Sequence, residues 1–377
     1  MNIGVDVREI QNGVITGIGR SLSNFIQYVS EKESEHNLVL FSEKKLEINF
    51  NPKIKNVYLR GSSTFIWDQW KLPKSFKQFN IDLFYSPYYK IPLISTIPSV
   101  SQILDLMFII HPDYKNNLTV NQRLYYTLFG KTFAMKSLSI ITDSKHAKND
   151  IVKVWNVNPE KIVVIPLGLA DLYRPVNNKN LLNHVRKRLK LPEKYILYLG
   201  NFKPHKNVPA LILAFKKTQN KFPDYKLVLA GTIDKHGAKI KDLVARIGLA
   251  EKVVFTGTIR ENDHPEAIFS MADLFVFPTL YEGFGLPPLE AMACGTPVIA
   301  SKLTAVPEVI GDAGVLVNPL DIDELANAIN NLLSNPEKRA EYSFKGLKRS
   351  YLFREESTSG QIYHHLINLL RTEKKKF

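Results

Sequence analysis

The chain has 377 residues, enough for two ordinary domains that each bury a core, and its 45% hydrophobic and 23% charged content is that of a soluble globular protein. No low-complexity tract and no fixed-period repeat is present, and a single cysteine, Cys294, excludes an intrachain disulfide and fits a reducing compartment. A net charge of +14, spread over both halves, implies an anionic partner: nucleic acid, a phosphate-bearing substrate or a membrane surface.

The first residues, Met1 to Asp6, read as a short strand and lack the basic, apolar and cleavage-site regions of a signal peptide. No run reaches the roughly 18 apolar residues of a membrane-spanning helix, so a cytoplasmic protein is expected. Asn37–Phe41, Ile54–Leu59, Leu83–Ser86, Ser99–Ile103 and Leu138–Thr142 read as further strands. Amphipathic stretches such as Arg20–Ser30 and Asn121–Met135 lie between them, which predicts βαβ units and a parallel sheet.

Within this half, residues 62–79 interleave Phe65, Trp67, Trp70, Phe76 and Phe79 with Lys71, Lys74 and Lys77. Such a stretch can rest on an anionic membrane or pack the domain with its lysines solvated. Pro175 and the asparagines of residues 177–180 interrupt the periodicity and place a domain boundary within 166–190.

The second half repeats the grammar. Tyr195–Gly200 and Lys226–Gly231 are apolar strands ending in glycine, with a helix over Val208–Asn220 between them. Ile240–Ile247, Val253–Thr256, His264–Met271, Leu274–Pro278, Leu289–Cys294, Val298–Ala300 and Gly314–Val317 continue it. A helix over Asp323–Ser334 follows, capped by Asp321 or Asp323, and Ala340–Arg371 reads as helical with a break near residues 353–360. Two doubly wound domains follow from this pattern, and such sheets bind ligands outside the carboxyl ends of their strands. In Ala291-Met292-Ala293-Cys294 the cysteine reads as a packed helix end.

The segment from Pro278 to Ser301 is the most informative. A buried strand ends at Pro278, Gly283 and Gly285 let backbone N–H groups approach a ligand, and Pro287 and Pro288 open a short helix whose N-terminus suits a phosphate. Glu282 lies on the turn, and Glu290 lies eight positions later in the expected first turn of the helix. A carboxylate accepts two hydrogen bonds and so suits vicinal hydroxyls, one for a transferred sugar and one for a ribose. Read alone, Glu290 could equally be a helix-start residue stabilised by the macrodipole.

The stretch from Tyr281 to Ser301 resembles the E-x7-E signature of glycosyltransferase family 4, whose members are retaining enzymes of the two-Rossmann GT-B fold. The resemblance extends to Thr16-Gly17-Ile18-Gly19-Arg20, to Asp143–Ala147 with Pro159–Pro166, and to Gly200-Asn201-Phe202-Lys203-Pro204-His205-Lys206-Asn207. Trp67–Pro73 followed by Ser86-Pro87-Tyr88 is similar to a subgroup containing many mannosyl- and rhamnosyltransferases.

The resemblance implies an α/β, GT-B architecture: an acceptor-binding domain over 1–172, a nucleotide-sugar domain over 173–352, a cleft between them, and a helix over 353–377 crossing back to the first. It implies a metal-independent hexosyltransferase without cofactor, using a GDP- or UDP-sugar and a glycan or lipid-linked acceptor in cell-surface polysaccharide synthesis, peripheral on the inner membrane face. Glu282, Lys206 and Asp105 would be catalytic. Gly17, Ile18, Gly19, Asn201, Lys206, Glu282, Gly283, Phe284, Gly285, Leu286 and Glu290 would bind the donor, Lys206 as the cation at its β-phosphate.

Two positions depart from the family pattern. Leu104 stands where relatives carry the histidine of His-Asp-Leu, leaving Asp105 to hold the acceptor or the Leu106 turn, with His111 and His146 as possible substitutes. Asn201 stands where many have an arginine, so His205, Arg260 or Arg20 would supply the second phosphate cation. These departures keep open a non-catalytic homologue that binds a nucleotide-sugar or glycan. An epimerase or phosphorylase is a further alternative on the same fold. A nucleic-acid binder is disfavoured because no recognised module accompanies the charge.

Overall fold

The computed structural model describes residues 1–11, 14–15, 17–31, 36–46, 53–61, 63–115 and 118–374. Thr16 of the glycine-bearing stretch and the last three residues, Lys375, Lys376 and Phe377, lie outside them. The chain divides into two compact units, residues 1–168 with 355–377, and residues 169–354.

The first unit holds β1 (Asn2–Asp6), a short antiparallel hairpin of β2 (Ile10–Gln11) and β3 (Val14–Ile15), then β4 (Asn37–Ser42), β5 (Ile54–Tyr58), β6 (Ile81–Ser86), β7 (Ser99–Gln102), β8 (Ser139–Thr142) and β9 (Ile162–Val164). Its main sheet is parallel, in the order β5-β4-β1-β6-β7-β8-β9. β1 sits mid-sheet and is buried on both faces from Ile3 to Asp6: Ile3 and Val5 enter the core, and Gly4 leaves room for the Phe41 ring, which a Cβ there would meet at 3.0 Å.

The helix Glu355–Lys374 completes this unit. Ile362, Leu366, Ile367 and Leu370 recur at helical spacing and are buried in one core with Leu22, Phe25, Ile26 and Val29 of the helix Gly17–Glu31. The break preceding it falls at the 3-10 turn Tyr351–Phe353, so the helix already begins at Glu355.

The second unit contains β10 (Tyr195–Leu199), β11 (Lys226–Ala230), β12 (Val253–Gly257), β13 (Leu274–Phe277), β14 (Val298–Ser301) and β15 (Val315–Val317), all parallel, in the order β12-β11-β10-β13-β14-β15. The asparagines near residue 178 start a helix here: Asn178 caps Lys179–Leu189 by accepting from the N–H groups of Asn180 and Leu181. Both sheets have the doubly wound strand order, reversing direction between β1 and β6 and between β10 and β13. Ligand crevices form at the carboxyl ends of the strands flanking such a reversal.

Candidate active site

Glycine terminates β10 and β11 for a steric reason. A Cβ on Gly231 would lie 2.0 Å from the carbonyl oxygen of Gly200, so the two strand ends touch through backbone alone. Beyond Gly200 the chain turns through the 3-10 segment Pro204–Lys206 into left-handed Asn207 (φ 53°), whose side-chain Nδ2 donates to the Pro319 carbonyl at 2.7 Å. Pro209 then occupies the first turn of the helix Val208–Thr218, where its missing N–H costs nothing. This tight route turns Lys206 back against the sheet edge, where it is buried.

On the neighbouring strand, β13 ends at Phe277, and Pro278 to Gly285 form a loop before the helix Leu286–Ala293. Gly285, at φ 119°, takes the N-cap position of that helix in a conformation closed to side-chain-bearing residues. Glu282 lies in this loop, and its carboxylate Oε1 accepts from Lys206 Nζ at 2.6 Å. The Lys206 ammonium also lies 5.1 Å from the centroid of the Phe277 ring. The pair's side chains are 11% and 14% exposed, largely removed from water but reachable from it.

Four residues with no signal in the motif hold this pair. Thr279, fully buried, places its hydroxyl 2.9 Å from Glu282 Oε1 and 3.0 Å from the His205 carbonyl oxygen, joining the two strand-end loops. Leu280 N–H donates to the same carbonyl at 2.7 Å. Thr304, left-handed at φ 56° in the loop after β14, accepts from Glu282 N–H at 3.1 Å. Tyr198 underlies the pair: its hydroxyl donates to the Asn201 carbonyl at 2.6 Å, and burial, then the Glu282 charge, pushes its phenol well above the usual range. Only the rule that strand-end loops carry function could have pointed to Thr279 and Thr304.

Glu290 is placed differently from the sequence expectation. The helix starts at Leu286, so Glu290 is its fifth residue and sits in the second turn, half-buried, with the macrodipole correspondingly weaker there. Gly283, Phe284 and Gly285 are buried in the loop, and Phe284 meets Phe353 edge-on at 5.8 Å. Cys294 is buried, and burial, then the charge of Glu290, pushes its thiol up, which makes it an unreactive packing residue.

Asn201 is exposed, its side-chain oxygen accepting from Lys203 N–H at 3.2 Å. His205 is buried, while Arg260 is exposed and opens a 3-10 turn, with its N–H donating to Asp263.

The remaining expected residues belong to the first unit. Gly17, Ile18 and Gly19 form the first turn of the helix Gly17–Glu31, with Ile18 packed on the core and Gly19 accepting from the Ser23 hydroxyl at 2.9 Å. Asp105 accepts from Met107 N–H at 3.0 Å and so fixes the turn at Leu106, while Leu104 is half-buried beside it. His146 lies 3.3 Å from Asp150, one helical turn on, and His111 stacks edge-on near Tyr114. Among the described residues no group of three or more His, Cys, Asp or Glu side chains could hold a metal ion.

Residues 182–349 match the model of the family Glycosyl transferases group 1. That match lies within the second unit and spans less than half of the chain, and the two parallel sheets are those of the GT-B fold. It is 31% identical over 226 residues to O-antigen chain mannosyltransferase B of Escherichia coli, a match covering 59% of this chain and 58% of that protein. The chain thus spans little more than half the length of that relative. It is 28% identical over 304 residues to O-antigen chain mannosyltransferase RfbU of Salmonella typhimurium, covering 78% and 79% of the two chains. The crystal structure of Anabaena Alr3699/HepE in complex with UDP superposes over 97% of this chain and 99% of that one with a TM-score of 0.75 at 18% identity, a likeness of fold.

Proposed function

We propose that the protein is a retaining glycosyltransferase that moves a hexose, mannose by analogy with its relatives, from a nucleotide-sugar to a glycan or lipid-linked acceptor in cell-surface polysaccharide synthesis. The observation that carries this reading is the Lys206–Glu282 pair at the carboxyl ends of β10 and β13, the strands that flank the reversal of the second sheet. Of the two O-antigen mannosyltransferases similar to it, the Salmonella one is matched over most of its length. A structure of the same fold was solved with UDP.

On this reading the donor exchanges partners with the pair. Lys206 meets the β-phosphate, Glu282 is released to accept from hydroxyls of the sugar, and Glu290 accepts from the ribose. N–H groups of the Gly283–Leu286 backbone approach the sugar and phosphate. The anomeric carbon–oxygen bond breaks with its electron pair leaving on the diphosphate. The acceptor oxygen bonds to the same face of that carbon, and its proton passes to the departing phosphate oxygen. No separate base is then needed, and the protein contributes positioning and charge stabilisation. The donor is a GDP- or UDP-sugar, no metal or cofactor is required, and Asp105 positions the acceptor loop through the Leu106 turn. On this reading the protein works at the inner, anionic membrane surface, which the basic charge supports. Among the described residues no helix is long and apolar enough to cross a membrane.

Screening UDP-, GDP- and dTDP-sugars by thermal shift, then by donor hydrolysis and transfer, tests the reading. Glu282→Ala should lower turnover by about 100-fold or more with the fold intact. Near wild-type turnover in that variant would remove the assignment.

A further inference from the structure

The segment from Thr64 to Gln78 runs as one continuous helical stretch with a π-turn, Trp67–Lys71, in its middle. Its inner face is core: Trp67, Leu72 and Phe76 are buried with Val39, Phe41 and Phe84, and the Trp67 indole N–H donates to the Leu59 carbonyl at 3.2 Å. The aromatic pattern of the sequence therefore splits in two, and only part of it faces water.

The outer face carries Phe65, Ile66 and Trp70, which are 55%, 46% and 65% exposed. The wide turn brings Trp70 round one turn beyond Phe65 and Ile66, with Lys74 and Lys77 continuing the same face at positions i+4 and i+7. Ile94, 61% exposed, approaches from the loop before β7. Between helix and loop lies a groove of about 820 Å³, with Trp70, Pro73, Ile94 and Ile97 among its lining and Lys74 and Lys77 at it. Among the described residues none that lines it is acidic.

An exposed patch of large apolar side chains rimmed by charges of one sign marks a binding surface. Its chemistry selects the occupant. Tryptophan and aliphatic side chains suit the boundary between lipid headgroups and acyl chains. Lysines bury their stems along apolar surface while the ammonium groups reach outward to phosphate. A protein partner of mixed charge would be met by acids as well as bases, and the described lining of the groove offers no acid.

We propose that this face docks the protein on an anionic lipid bilayer, with Phe65, Ile66, Trp70 and Ile94 entering the headgroup boundary and Lys74 and Lys77 meeting lipid phosphates. This gives the membrane-proximal reading above a specific surface, and it lies apart in sequence from the donor residues, so the two fail separately. Docking is reversible and salt-sensitive, since two lysines act through charges that salt screens over about 10 Å at 0.1 M.

The protein reports on its own docking. Of its three tryptophans, Trp67 and Trp155 are buried and Trp70 is exposed. Mixed phosphatidylglycerol–phosphatidylcholine vesicles should sediment the full chain, shift its fluorescence to the blue, and quench it when the lipids are brominated, while pure phosphatidylcholine vesicles should do so weakly. Trp70→Ser with Ile94→Ser should abolish sedimentation. Lys74→Glu with Lys77→Glu should lower binding to anionic vesicles roughly tenfold or more. All four positions are on the surface, and thermal shift by GDP or UDP checks that donor binding in the second unit is retained. Unchanged sedimentation in both double variants overturns the proposal, as does sedimentation without quenching. Self-association in the absence of vesicles that is lost with Trp70→Ser would assign the face to a second copy of the chain instead.

Discussion

Lys206 and Glu282 are 76 residues apart in sequence and share one hydrogen bond in the structure, so each limits what the other can do. Lys206→Met removes the cation and leaves a largely desolvated carboxylate with Thr279 as its remaining side-chain partner. It should reduce turnover by about 100-fold or more and weaken nucleoside diphosphate binding, read by calorimetry with GDP and UDP. Thr279→Val keeps the volume but unties the two loops, and should lower turnover less than either charged substitution does.

A second buried charge cluster sits at the carboxyl end of β1. Arg8 forks onto Asp6 at 2.6–3.1 Å, reaches Asp68 at 2.6 Å and stacks 3.9 Å from the Trp67 ring centroid. Burial raises the Asp68 carboxyl to about 6 from 3.8, winning over the opposing Arg8 charge. Because the folded value lies above the unfolded one, the folded chain binds more protons between them. This contribution is full below 3.8 and is lost as pH rises through about 6. Asp68→Asn removes that component, so its stability at pH 7 relative to pH 4 should rise by up to roughly 2–3 kcal/mol against wild type, measured by urea midpoints at the two pH values.

At the scale of elements, the strand ends are set by backbone contact. Gly231→Ala forces a Cβ into the Gly200 carbonyl, with Phe202 Cε2 only 3.2 Å away. The strands β10 and β11 must part, at a cost of about 1–3 kcal/mol or more in urea unfolding, and Lys206 should lose its register with Glu282. The strands themselves were legible because parallel, doubly buried strands are short apolar runs, and Leu274–Phe277 and Val298–Ser301 stand out as such. The helix Lys179–Leu189 was not, because its asparagine-rich start looks like a loop until Asn178 is seen capping it. Glu290 sits a turn later than the two prolines predict, for a related reason. The two prolines mark a helix start, but the N-cap is Gly285, whose backbone geometry its neighbours in sequence do not reveal.

At the scale of the molecule, the first unit is discontinuous, since residues 355–377 return to complete its core. Ending the chain at Arg354 removes Ile362, Leu366, Ile367 and Leu370, each worth about 1.5–3 kcal/mol when buried, against a typical total stability of about 5–15 kcal/mol. The first unit should then unfold. Hydrogen exchange should show protection lost in β1 and β4 and kept in β10 and β11.

The sequence by itself determined two doubly wound units, the glycine-ended strands and the glutamate-bearing loop, because strand burial, helix periodicity and turn chemistry are local and leave their mark within a few residues. The order of the strands decided the rest. Only when β13 lies beside β10 does Glu282 meet Lys206, and only then do Thr279 and Thr304 become parts of a site. The same holds on the outer face of the first unit, where a π-turn and a distant loop sort one aromatic run into core at Trp67 and surface at Trp70. Contacts between distant segments depend on closing loops of many residues, which no local pattern of side chains records.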